Sequence, residues 1–241
     1  MVSKADLEEF RQANKDLSAL TRRNLDAFLA SLNLNDAAGT RDALLAFLPA
    51  LVAEGGKVAS VLAADWYSEV GKGKPSIAPV VEPARVQSKI RYVAAHLWTP
   101  TPANVLGPLR TATDKYTKEP GRATIERSAT RNRQRWARVP TGSKTCAFCL
   151  TLASRGAVYL SKDAAKYKGG GSSNKYHGDC DCVPTPLNSW DDYPEGYDPE
   201  EYYRIYDVAA DAAGTRSDLR AITQSMRVKF PDLVRDGVHT S

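Results

Sequence analysis

The sequence predicts a mainly α fold: an elongated helical N-terminal region, then a small α+β metal-stapled module of zinc-ribbon or knuckle-like type, then a helical C-terminal tail. Three observations predict it. Apolar residues recur at three- and four-residue steps from Leu7 to Leu97, the period of an amphipathic helix. All four cysteines fall between residues 146 and 182, in a stretch otherwise rich in Gly, Ser and Lys. Asp198-Pro199-Glu200-Glu201 is a helix start, with an N-cap, Pro at the first helical position and acids in the first turn. The expected division is a helical region over 1–138, a Cys/His module over 139–188, and an acidic-aromatic linker with helical tail over 189–241.

Leu7, Phe10, Leu17, Leu20, Leu25, Phe28 and Leu32 define the first helix. Asn33 to Gly39 breaks it, and Thr40 is the expected N-cap of the second. That helix carries Leu44, Leu48, Leu51, Val58, Leu62 and Trp66, and Pro49 with Gly55-Gly56 should kink or split it. Residues 71–83 read as a loop. Val86, Ile90, Val93 and Leu97 mark a third helix, ended by the Thr-Pro-Thr-Pro stretch. From Arg110 to Arg138 the chain is basic, and Pro120 to Ala137 reads as a helix with Ile125, Ala129 and Trp136 inward. A short helix is expected after Cys149, a strand or turn near Val158–Leu160, and a loop to Tyr176. Tyr202, Ile205, Tyr206 and Ala209 continue the helix begun at Asp198 to about Gly214. Ser217-Asp218 opens a last one, stopped by Pro231.

The chain has 241 residues, 42% hydrophobic and 25% charged, which is globular rather than disordered composition. Its net charge of +5 permits contact with nucleic acid. Arg127, Arg131, Arg133, Arg135 and Arg138 are the candidate phosphate contacts, against the alternative of a solvated charged face. The N-terminus lacks the apolar run of a signal peptide, and the run near Ala43–Ala53 is too short and too broken by Pro49 to span a bilayer. No membrane partner and no secretion are expected, so the cysteines are expected in a reducing cytoplasm, as thiolates on metal.

Cys146-Ala-Phe-Cys149 and His177-Gly-Asp-Cys180-Asp-Cys182 offer five ligands, Cys146, Cys149, His177, Cys180 and Cys182, for the four positions of a tetrahedral zinc ion. Four chemistries compete. Structural zinc fits the spacing. A deaminase zinc site needs His-x-Glu upstream of the Cys-x-x-Cys, and here the order is reversed. A redox Cys-x-x-Cys wants a βαβ setting. The fourth is a cysteine set that binds no metal, or pairs as disulfides outside the cell. No Ser-His-Asp set, paired-carboxylate motif or phosphate loop is visible, and Gly169–Ser173 lacks the Lys-Ser/Thr of a Walker motif. His96 and His239 read as structural or incidental, and the four tryptophans as core or interface anchors. The chain is expected not to be an enzyme.

The stretch from Arg138 to Tyr159 (RVPTGSKTCAFCLTLASRGAVY) followed by His177-x-x-Cys-x-Cys182 resembles the MuF-like minor capsid, or head morphogenesis, proteins of tailed bacteriophages, in the form found in actinobacteriophages. Val61–Tyr67 (VLAADWY) and Pro120–Arg127 (PGRATIER) are similar to that form too. The resemblance spans roughly residues 40–185. It implies a virion protein inside the head, in the host cytoplasm during assembly. The implied partners are the portal protein, major capsid or scaffold proteins and packaged double-stranded DNA, with several copies around the portal. Some relatives carry protease or toxin activities, for which no motif is present. The rival reading is a small zinc-containing DNA-binding regulatory protein, which would need a recognition helix and a dimer spacing.

Overall fold

The structure, a computed structural model, describes residues 2–142, 144–156, 176, 180, 182–189 and 192–235. Four long helices build the N-terminal part: α1 (Lys4–Ala30), α2 (Ala37–Val70), α3 (Pro83–Val93) and α4 (Leu106–Arg131). Short 3-10 turns, Ala94–Trp98 and Pro102–Val105, join α3 to α4. Ser3 caps α1 through a reciprocal pair: Asp6 N–H donates to Ser3 Oγ at 3.1 Å and Ser3 N–H to Asp6 Oδ2 at 2.8 Å. The α1 stripe turns inward, burying Leu7, Phe10, Leu17, Leu25 and Leu29 but leaving Leu20 exposed. Phe10 stacks on Trp66 of α2 with ring centroids 4.6 Å apart.

Two expectations for α2 are corrected. Its N-cap is Asp36, whose carboxylate accepts from Gly39 N–H at 3.0 Å, while the Thr40 hydroxyl donates back to Asn33 O at 2.8 Å from inside the helix. Pro49 and Gly55-Gly56 do not split it. The glycines serve a close approach to α4: a Cβ on Gly55 would stand 2.8 Å from Thr117 Cγ2, and one on Gly121 of α4 only 2.7 Å from the Ala59 carbonyl oxygen. By length and composition α2 could cross a membrane, but here it is the central helix, packed on α1, α3 and α4.

The basic segment also departs from expectation. Helix α4 begins at Leu106, keeps Pro120 inside it, and ends at Arg131. Arg133, at φ 52°, turns the chain into strand β1 (Arg135–Val139). β1 pairs antiparallel with β3 (Val183–Leu187), in the register Trp136↔Pro186 and Arg138↔Pro184. Pro184 and Pro186 have no N–H, so the ladder donors of β3 are the alternate residues Val183, Thr185 and Leu187. β2 (Thr145–Cys146) pairs in parallel with β4 (Val234–Arg235). Helix α5 (Ala147–Ala153) follows β2 directly, and α6 (Pro199–Ala213) and α7 (Leu219–Lys229) pack on it. Asp198 caps α6, and Gly214 ends it in the left-handed conformation at φ 65°.

One apolar core joins the helices to the module. Phe10, Trp66, Tyr67 and Ile125 share it with Trp136, Val139, Val183 and Leu187. The expected boundary between 138 and 139 falls inside β1. A second core fills the space among α1 to α4, and a third lies under α5, α6 and α7.

Candidate metal centre

Cys146 ends β2 and caps α5, so the helix begins on its sulfur: Cys149 N–H donates to Cys146 Sγ at 3.2 Å. That N–H to Sγ bond is the local geometry by which a Cys-x-x-Cys turn aims two sulfurs to one side. Cys180 and Cys182 enter from the chain just before β3, which β1 holds in register. The ligand sulfurs of Cys149, Cys180 and Cys182 lie within 4.8 Å of one another, and Cys149 Sγ stands 3.2 Å from Cys180 Sγ. None of the four cysteines is in a disulfide, and all are buried, at 0–4% exposure. Hydrogen bonds with Cys146, Cys180 and Cys182, together with burial, hold the Cys149 thiol well above its ordinary pKa. A cation placed among the sulfurs reverses that preference, because the ligating species is the thiolate. Three buried, convergent soft donors could therefore hold a metal ion.

Around the sulfurs lies a set of charges that the sequence did not connect with the cysteines. The Tyr176 ring packs with the cysteines. The guanidinium carbons of Arg138 and Arg122 stand 4.1 Å and 4.4 Å from its centroid. Arg122 also donates to the Cys180 carbonyl. The Tyr176 hydroxyl donates to Glu126 Oε1 at 2.9 Å, and burial pushes its pKa up, which keeps it a donor. Two guanidiniums beside a cluster of thiolates supply positive charge that a thiolate-rich metal centre needs when buried. Arg122, Glu126, Tyr176 and Arg138 act at this centre from α4, β1 and the loop. In the sequence Arg138 reads as a candidate phosphate contact, and Arg122, Glu126 and Tyr176 carry no signal of this role.

Of the five arginines expected at a nucleic-acid surface, four keep access to solvent and one is buried. Arg131 and Arg133 are exposed, and Arg127 is exposed with its Nε donating to Ser76 Oγ at 3.0 Å. Arg135 is half-buried in β1. Arg138 is corrected: at 0% exposure beneath Tyr176 it is closed to a DNA phosphate. The helix expected over Pro120 to Ala137 ends at Arg131, and residues 135–139 are strand. His177, the fifth candidate ligand, lies outside the described residues, as do the strand or turn near Val158–Leu160 and the loop to 175.

Helices held to a small two-stranded sheet by a buried thiol cluster define a mainly helical protein with a candidate metal centre. The chain belongs to the VG15 protein family, which it matches over residues 1–209, and this makes it a phage protein. No curated protein and no solved structure matches it.

Proposed function

We propose that this phage protein is a minor capsid, or head morphogenesis, protein of the MuF-like kind. It works inside the head without catalysing a reaction. It docks on the portal and the inner shell, and several copies surround the portal. Arg127, Arg131, Arg133 and Arg135 give non-specific contact with packaged double-stranded DNA. The metal is zinc, bound by Cys149, Cys180 and Cys182 with Cys146 or His177 as fourth ligand. The observation that carries the non-enzymatic reading is the burial of the thiols, at most 4% exposed, behind Tyr176. A catalytic zinc keeps a position open to water or substrate, whereas a structural one is closed. Family membership and the Cys/His spacing support the capsid assignment.

The test is mass spectrometry of gradient-purified particles treated with protease before lysis. The protein is expected in the protected fraction at a fixed ratio to the portal. Its absence from particles overturns the capsid reading and favours a regulatory protein of the infected cell.

A further inference from the structure

Helices α1 and α4 pack against each other beside the thiol cluster and leave a cleft of about 320 Å³, whose far wall includes Cys180 and Cys182. Arg11 and Lys15 line it from α1, and Lys118 and Arg122 from α4. Each pair is spaced i, i+4, so each places two like charges side by side on one helix face. That spacing is repulsive unless something negative sits against it. Among the described residues the acid in the lining is Asp114, which pairs with Lys118 at 2.9 Å. Arg11 is held by Glu8 of its own helix. Among the described residues four cations thus line the cleft with one carboxylate, Arg122 facing the Cys180 and Cys182 thiols as well. Arg122 is already fixed in place by the Cys180 carbonyl and the Tyr176 ring, so part of the wall is preorganised.

We propose that this cleft binds phosphate groups of a nucleic-acid backbone. A single carboxylate engages one guanidinium fork, whereas four cations around one cleft match the successive charges of a phosphodiester chain. The cleft is too small to admit a duplex, and phosphates reach it from the edge of a groove or from an extended strand. The phosphate chemistry stands on the cleft alone; naming packaged DNA as its source rests on the capsid reading above.

The experiment measures binding of the full-length protein to duplex and single-stranded DNA of several unrelated sequences across a salt series. The double variant Lys15→Gln with Lys118→Gln is compared with a charge-matched control, Lys57→Gln with Arg204→Gln, on α2 and α6 away from the cleft. The cleft variant is expected to weaken binding to every sequence and to lower the salt slope by about two, one per lysine. The control should leave both unchanged. Lys15→Gln alone, at an exposed position that cannot upset the fold, should lower the slope by about one. Unchanged slopes in both cleft variants overturn the proposal. Displacement of DNA by polyglutamate at equal charge also overturns it, assigning the cleft to an acidic protein. If the cleft variants lose DNA binding while the wild-type protein is missing from purified particles, the phosphate site stands and only the capsid reading fails.

Discussion

The Tyr176 hydroxyl donates to the Glu126 carboxylate at 2.9 Å, which ties the segment entering Cys180 to the middle of α4. Both residues are buried, at 3% and 4% exposure. The thiol cluster is therefore anchored to the long helices as well as closing its own loop. Arg122, donating from one turn earlier on α4 to the Cys180 carbonyl, makes the second tie. A metal held by these sulfurs would be coupled to the packing of the helices through these contacts.

Tyr176→Phe keeps the ring and removes the donor. A buried hydrogen bond to a charged group is worth about 1.5–3 kcal/mol, and unfolding in urea should show a loss of that size. Because the ring still fills the space over the sulfurs, metal stoichiometry should stay as in the wild type.

Gly121→Ala should cost about 1–3 kcal/mol through overpacking, since its Cβ would stand 2.7 Å from the Ala59 carbonyl oxygen and backbone cannot move aside cheaply. Gly107→Ala, in the first turn of the same helix with nothing within 4 Å, should be neutral or gain up to about 1 kcal/mol. Thermal unfolding of the two variants reads the contrast. Equal effects would mean that the helices do not cross where described.

Arginines one strand apart should behave oppositely. Arg131→Gln, at an exposed helix end, should change stability by less than about 0.5 kcal/mol. Arg138→Gln should be far more costly, because it removes a buried charge stacked on Tyr176. Arg133→Gly should be tolerated or stabilising, since Arg133 occupies a left-handed conformation that glycine adopts freely.

Deleting residues 1–34 should make the protein aggregate. The stripe of α1 is internal, and Phe10 and Leu7 share a core with Trp66 and Trp136. Its removal exposes a contiguous apolar surface. Light scattering of the truncated protein tests this. A soluble, folded truncation would mean that α1 is an arm free to dock elsewhere.

Helices with their own caps were legible in the sequence. Ser217-Asp218 and Asp198-Pro199 mark real starts, and Gly214 marks a real stop, because capping is local chemistry. The convergence of Cys149, Cys180 and Cys182 was legible from spacing alone. What was not legible depends on distant partners. Gly55 reads as a helix breaker until Thr117 of α4 is beside it. The Val183–Leu187 strand hides behind two prolines, and its partner, Arg135–Val139, lies far upstream across the whole cysteine module. Arg138, just past the helix expected to end at Ala137, reads as a surface charge. Once its segment is strand, buried on both faces, the same residue sits under Tyr176. Glu126 reads as one acid among many arginines, and only the fold gives it Tyr176.

The central claim is that the thiol cluster is a structural metal centre. Elemental analysis of the protein purified from cells without added metal, with thiol titration before and after chelation, tests it most directly. About one zinc per chain is expected, as a single tetrahedral site requires. Also expected are thiols that become reactive only after the metal is stripped, and a fall in thermal stability on stripping. Metal-free protein with four reactive thiols, melting at the same temperature with and without chelator, would contradict it.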